Sequence, residues 1–521
     1  MNRLIPLLVI ILLAFAVRSV FIADLFTGDA IDTVGPARNF VETGRAAVYA
    51  TSAEPGILGY VEDGLYFNFT HPPMRFALYS IWAVIFGLPA LSLLPILFGV
   101  LSIIFIYLIA REIFSEKVAV IAALLAAVLR YHVYASVIGF GDNLLMVFVG
   151  AMIYFFILYL RRKSYHYLLP VILFSAAGIL TKLSILPVFA VLVLLAWIHR
   201  DKIKFHMSFV IVLMVFLASF IALFFSYPVV EHFTGVSLSD VDFFSIYVDT
   251  LFLASEGYQP FVQEKSFYLL SFAWQMTPFF AALLLLSLVR VEKSREYWSL
   301  VAWLVVVFLA GFASSGQDFQ RFMVIAIIPA VVIVAKYVSD IDWNWNLAVV
   351  SFVAVLAAAG GLGLNDMLSH YSPEIPALFF LAAFILLFLP RNEEKRKIIL
   401  VAAAAALSVY FLFGTAFIIH ANSSAVSQIV DEVRDRGYPY EQLWTTRDIS
   451  MYLAPYGHPS LLKRPLLNQS LSEQAVSYFA FYSVYEESKI IELSAGCIDK
   501  PFFAEVNSRK VGLVCQLSPS R

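Results

Sequence analysis

Apolar runs about as long as a bilayer is thick recur along most of this chain, and a soluble fold has no place for so many. Splitting the sequence at charged or Pro/Gly-rich breaks leaves thirteen of them, at 4–23, 91–110, 117–135, 143–160, 167–181, 183–199, 207–226, 266–289, 298–313, 322–338, 347–364, 377–390 and 398–420. A helix needs about 20 apolar residues to cross the hydrocarbon core, so several runs are short and their ends are soft. Composition supports the same reading. The chain is 61% hydrophobic and 14% charged, against roughly half and a quarter in soluble domains. The expected fold is a multi-span α-helical membrane protein with about 13 transmembrane helices over residues 1–420. A small soluble α/β domain over 421–521 is expected to follow.

Loop charge orients the spans. With the N-terminus cytoplasmic, fifteen Lys and Arg fall in inner loops and six in outer loops before residue 421, as the positive-inside rule requires. The outer six are Arg38, Arg45, Arg75, Lys182, Lys265 and Arg321. The polar loops 24–75 and 227–265 and the tail are then outside. Residues 76–88 are apolar but short, and they read as a helix lying along the surface, so the first outer segment extends over 24–90. Ala14-Phe15-Ala16 resembles a signal cleavage site. The apolar stretch nevertheless continues to Ala23 apart from Arg18, which favours a retained first span.

In the tail, Val426, Ile429, Val430 and Val433 share one helical face over 423–436. Ser470 to Glu473 reads as a capping box opening a second helix through about Tyr482. The runs around Ile490, Phe502 and Val511 read as strands. Cys497 and Cys515 are a candidate disulfide, with two buried thiols as the alternative.

Several function classes drop out. No basic run or aromatic stripe suits nucleic acid. No Gly-rich phosphate loop suits nucleotide hydrolysis. None of the nine histidines stands at His-x3-His or His-Glu-x2-His spacing, which argues against a zinc hydrolase. An outer site also has little access to cytoplasmic nucleotide sugars, a difficulty that a lipid-borne donor removes.

Charges at span boundaries are the functional candidates, because placing one in the membrane costs a few kcal/mol. Lys182 stands alone in an apolar run of about thirty residues, on the side where cations are otherwise avoided. It could bind a lipid phosphate or merely snorkel. Arg321 could hold phosphate or pair with Asp318. Asp142 could cap the following span or act as a second acid. Asp29 and Asp32 are three residues apart; either could be a general base, and Asp32 also suits a helix cap, which leaves Asp29 as the stronger base candidate. His71, before Pro72-Pro73, could contact phosphate or sugar or simply form a rigid corner. Arg18 and Arg130 read as interfacial anchors or ligands.

These residues together resemble the membrane-embedded glycosyltransferases of the C-type fold, in particular the branch of protein O-mannosyltransferases and lipid A aminoarabinose transferases. The resemblance is carried by Gly28-Asp29-Ala30-Ile31-Asp32, Ala37-Arg38, Gly44, His71-Pro72-Pro73-Met74, Asp142, Gly178-Ile-Leu-Thr181-Lys182 and Arg321-Phe322…Pro329. It covers roughly residues 5–340. The family's Glu after its first Asp is missing here, so Asp32 or Glu62 would have to substitute, and a divalent metal ion is the one cofactor left open. The resemblance implies inverting transfer of a monosaccharide from a polyprenyl- or dolichyl-phosphate carrier to a protein, glycan or lipid hydroxyl. Asp29 would be the base, Asp32 and Asp142 would be acceptor-side acids, and Lys182, Arg321 and His71 would bind the donor phosphate. The expected location is the plasma membrane of a prokaryote rather than the endoplasmic reticulum. A lipid or solute transporter and a non-catalytic subunit holding a lipid-linked glycan are the competing readings.

Overall fold

The computed structural model describes residues 4–19, 22, 31–46, 48–49, 60–62, 65–67, 72–137, 141–200, 205–234, 276–289, 294–313, 319–340, 424–438, 443–445, 460–461, 478–482, 490–491, 494–495, 497–506 and 509–516. The expected spans 347–364, 377–390 and 398–420 lie outside these residues, as do Asp29, Asp318 and His71.

The first expected span is helix α1, Leu4–Ser19. Within the first polar loop, α2 covers Ile31–Thr43. A small antiparallel sheet follows, in which β3, Leu65–Phe67, lies between β1, Val48–Tyr49, and β2, Tyr60–Glu62. Helix α3, Met74–Phe86, is the short apolar segment after the Pro-Pro corner. One face of it buries Tyr79 and Ala83 against Val34 and Ala37 of α2. The other face leaves Ile81, Val84, Ile85 and Phe86 exposed.

The bundle continues with α4, Leu93–Ile113, α5, Glu116–Val128, α6, Arg130–Val137, and α7, Gly141–Arg162. After these come α8, Leu168–Ile179, α9, Leu186–Ile198, α10, Phe205–Phe225, and α11, Tyr227–Thr234. Its last described helices are α12, Pro278–Val289, α13, Arg295–Ala313, and α14, Phe319–Asp340. Among the described residues, four helices are long and apolar enough to cross a membrane, or up to five if the bent α5–α6 pair is one span.

That bend corrects one expectation. The run 117–135 reads as a single helix, but the chain turns by 59° between α5 and α6. Leu129 is extended there, at φ −64° and ψ 120°. No proline or glycine marks the break, so nothing local announces it.

Small residues let the helices approach closely. Ala119, Ala122, Ala123, Ala126 and Ala127 are all fully buried, and α5 packs through them against α1, α4 and α14. At one end of the bundle Arg161 meets Glu112 at 3.6 Å and Glu296 at 3.7 Å. The turns at 72–75, 141–142 and 180–182 gather at the other end.

In the tail, a helix over 424–435, α15, places Val426, Ile429, Val430 and Val433 in one core with Leu443, Ala480, Ala504 and Val514. These last four belong to a five-stranded mixed sheet of order β5-β4-β6-β8-β7. Its strands are β4, Leu443–Thr445, β5, Ser460–Leu461, β6, Tyr478–Tyr482, β7, Phe502–Val506, and β8, Arg509–Gln516. The capping-box expectation fails at its far end. Residues 478–482 read YFAFY, and this aromatic run forms a strand, as its β propensity favours. Ile490 is helical rather than in a strand. Cys497 and Cys515 are disulfide-bonded across 18 residues of chain. Replacing both with Ser is expected to lower the tail's stability by about 3 kcal/mol through unfolded-state entropy, measurable by pulse proteolysis of the detergent-solubilised protein in urea.

Candidate functional site

The turn after α8 shapes one wall of the site. The Gly178 carbonyl accepts from both Thr181 N and Lys182 N, each at 3.0 Å. Thr181 Oγ1 donates back to the Ala177 carbonyl at 2.7 Å. The helix is thereby closed and Lys182 leaves it in extended backbone, with its cation near the negative end of the α8 dipole.

Asp142 stands in the first turn of α7, where a carboxylate suits the positive end of a helix. Asn143 beside it donates to the Pro95 carbonyl at 2.9 Å, tying α7 to the start of α4. The Lys182 ammonium donates to Asp142 Oδ1 at 2.5 Å, and the two side chains are only 13% and 5% exposed. The sequence presents an isolated lysine and an isolated aspartate; the fold makes them one buried ion pair. The carboxylate therefore holds Lys182 instead of capping α7.

The Pro72-Pro73 corner closes onto this pair. Both prolines are buried, and Met74 N donates to the Leu180 carbonyl at 2.9 Å. The next residue, Arg75, is 3% exposed and lies against Gly141. A Cβ at position 141 would come within 2.6 Å of Arg75 Cδ, so glycine is what allows the arginine to approach. Tyr79 lies within electrostatic reach of Arg75, and Tyr131 of α6 within reach of the Asp142 carboxylate. In the sequence Arg75 is one of six cations in the expected outer loops, and nothing there assigns it a role. Its signal was a cation immediately after a Pro-Pro corner on an otherwise acidic face.

The two polar loops also meet. Ala46 N donates to the Phe233 carbonyl at 2.5 Å, and the Phe40 and Phe233 rings lie 5.1 Å apart. Asp32 falls in the first turn of α2 and Arg321 in the first turn of α14; only their backbones are described. Arg18 is not an interfacial anchor, because it is fully buried. Among the described residues, no three His, Cys, Asp or Glu side chains gather as a metal site would require. Asp29 lies outside those residues, and of Asp32 and Glu62 only the backbone is described. A cavity of about 20 Å³ bounded by Arg161, His199, Ser299 and Trp303 has room for one water, but it lies at the opposite end of the bundle.

With this geometry, the likeness to known structures can be placed. The chain aligns over 98% of its length with 97% of ArnT from Cupriavidus metallidurans in the apo state, at TM-score 0.64 and 14% identity. It has the C-type glycosyltransferase fold. The same enzyme bound to undecaprenyl phosphate aligns at TM-score 0.62 and 13% identity, covering 99% of this chain and 98% of that one. The archaeal oligosaccharyltransferase AglB from Archaeoglobus fulgidus, in complex with an inhibitory peptide and a dolichol-phosphate, aligns at TM-score 0.55 and 14% identity. That alignment covers 100% of this chain and 74% of AglB. The family described as dolichyl-phosphate-mannose-protein mannosyltransferase matches residues 70–225, the stretch holding Arg75, Asp142 and Lys182. No curated protein matches the sequence significantly.

Removing one partner of a buried ion pair costs more than removing both. Lys182→Met alone is therefore expected to destabilise the protein by about 3 kcal/mol. Adding Asp142→Asn should recover most of that loss, as read by denaturation in detergent.

Proposed function

We propose that this protein transfers a monosaccharide from a polyprenyl- or dolichyl-phosphate carrier to an acceptor hydroxyl at the outer face of the membrane. The observation carrying the proposal is the buried Asp142–Lys182 pair, with Arg75 and the Pro72-Pro73 corner packed beside it. An ammonium has three donors. With one of them committed to Asp142, two remain for a phosphate. Asp142 also fixes the direction of the lysine side chain, so little ordering is left to be done when the donor arrives.

In this reading the pair is neutral overall, and the donor's charge falls to Arg75, His71 and Arg321. Arginine suits that role because its fork can hold two phosphate oxygens at once. As the sugar–phosphate bond breaks, negative charge grows on the departing lipid phosphate. Cations held near that phosphate stabilise the transition state more than the ground state. On the other side of the sugar, Asp29 removes the acceptor's proton, so a single displacement inverts the anomeric centre. Asp32, in the first turn of α2, stands on the acceptor side. The fold shared with ArnT bound to undecaprenyl phosphate supports a lipid-phosphate donor. The Cys497–Cys515 disulfide supports an oxidising compartment for the tail, and so a C-terminal domain outside the cytoplasm, while the loop charges support a cytoplasmic N-terminus.

The test is transfer by the purified protein in nanodiscs, using radiolabelled polyprenyl-phosphate sugars and a membrane extract as the source of acceptors. Asp29→Asn is expected to lower kcat by about 10²- to 10⁴-fold, the usual contribution of a general base, while undecaprenyl phosphate still binds. Full activity in Asp29→Asn would exclude it as the base. Donor binding without transfer in the wild type, across several sugars and extracts, would identify a binding subunit instead.

A further inference from the structure

A second polar cluster lies sealed within the bundle, away from the ion pair. Arg18, Ser102, His132 and Ser136 are all fully buried. Arg18 Nη1 donates to the carbonyls of Ala14 at 2.9 Å and Ala127 at 3.0 Å. Its Nη2 lies 2.6 Å from His132 Nδ1, and His132 Nε2 lies 2.8 Å from Ser102 Oγ. Arginine can only donate, so Nδ1 accepts. The neutral ring then carries its proton on Nε2 and gives it to Ser102. Ser102 in turn donates to the Gly99 carbonyl at 2.7 Å, so one tautomer serves every bond in this run, while Arg18 Nε is left without a hydrogen-bond partner among the described residues. Gly99 is needed at this point, since a Cβ there would collide with Ser136 and approach Arg18 Nε to 3.1 Å.

The cluster sits at the break between α5 and α6. Carbonyls in the last turn of a helix lack intrahelical donors, and in an apolar bundle water does not replace them. Ala127 is in the last turn of α5, and Arg18 supplies its donor. Ser136 Oγ bonds the His132 carbonyl within α6. The relay thus joins α1, α4, α5 and α6 at the point where the chain changes direction.

Connectivity extends its reach to the donor-phosphate side of the proposed site. Arg18 is at the end of α1, eleven residues before Asp29, and His132 is ten residues before Asp142. Tyr131, adjacent to His132, lies within electrostatic reach of Asp142. We infer that the Arg18–His132–Ser102 relay is a positioning device that keeps the donor-phosphate site in register with the end of α1. The inference rests on the function proposed above. None of the three residues touches substrate; they act through where α1 ends and where α6 points.

The experiment compares full-length wild type with Ser102→Ala, His132→Phe and His132→Gln, measuring kcat, donor KM, undecaprenyl phosphate binding and hydrogen exchange. Loss of register affects turnover more than binding, because misplacing reacting groups by about 1 Å can cost roughly a hundredfold. His132→Phe is expected to lose about a hundredfold in kcat, with donor KM changed less than about threefold. His132→Gln, which can accept from Arg18 and donate to Ser102, should return to within about tenfold of wild type. Ser102→Ala removes the hydrogen bonds to His132 Nε2 and to the Gly99 carbonyl and should lower kcat by about fivefold. It decides the matter if His132→Phe does not fold.

Unchanged kcat in Ser102→Ala and His132→Phe would overturn the inference. Equal losses in the Phe and Gln variants, tracking their Tm, would overturn it too. If the wild type transfers no sugar from any lipid donor, the proposed function fails. Exchange then judges the relay alone: joint deprotection of 4–19 and 130–137 in Ser102→Ala supports it, and unchanged protection refutes it.

Discussion

A helix that breaks inside an apolar bundle must still satisfy its backbone, and water is not there to help. Much of this structure follows from that constraint. At Leu129 the chain turns by 59°, and Arg18 from the first helix donates to the Ala127 carbonyl at the end of α5. A buried arginine is costly unless its donors are used. Two carbonyls and an imidazole use Nη1 and Nη2, and the negative end of the α5 dipole favours the charge. The imidazole is held in one tautomer by Ser102, so the alignment of four helices depends on a short run of hydrogen bonds.

The same bend directs α6 toward the end of the bundle where the Pro72-Pro73 corner, the first turn of α7 and the turn after α8 converge. The charges gathered there differ from those at the opposite end. Around Arg161, the partners Glu112 and Glu296 are partly exposed and stand at ion-pair distances of 3.6 to 3.7 Å. Such contacts contribute little to stability. Asp142 and Lys182 are buried and in direct hydrogen bond. Their desolvation is a cost that replacement by apolar residues would avoid, so stability alone does not account for them. Arg75 lies beside the first turn of α7, brought close by the absence of a side chain at Gly141.

The tail packs as a helix on a sheet. Its helix buries one apolar stripe against a mixed sheet. Arg436 at the helix end donates to Asp499 at 2.5 Å, and Asp499 accepts from Gln516 N at 2.8 Å. These contacts connect the helix, β8 and the chain beside the disulfide. The segment YFAFY shows how context settles an ambiguous run. Five aromatic-rich residues can begin or end a helix, but beside β4 and β8 they complete a sheet.

Much of the architecture was legible from the sequence because the signals are local and one-dimensional. Apolar length marks the helices and the 3.6-residue period marks the tail helix at 424–435. The order of Gly178, Thr181 and Lys182 marks the turn that the structure closes through the Gly178 carbonyl. Asp142 and Lys182 were each recognisable as charges at span boundaries, where a charge requires a reason. Their pairing was not legible, since forty residues and two helices separate them and only packing brings them together. The break at Leu129 escaped for a related reason: no proline or glycine causes it, and the donor that makes it tolerable comes from a residue more than a hundred positions earlier. Burial turned Arg18 from a boundary residue into a helix cap, and close approach at Gly141 brought Arg75 to the ion pair. Sequence by itself determined which residues are apolar, which are charged and how far apart they stand along the chain. Tertiary structure alone decided which charges meet, because contact depends on helix packing and that distance along the chain does not measure it.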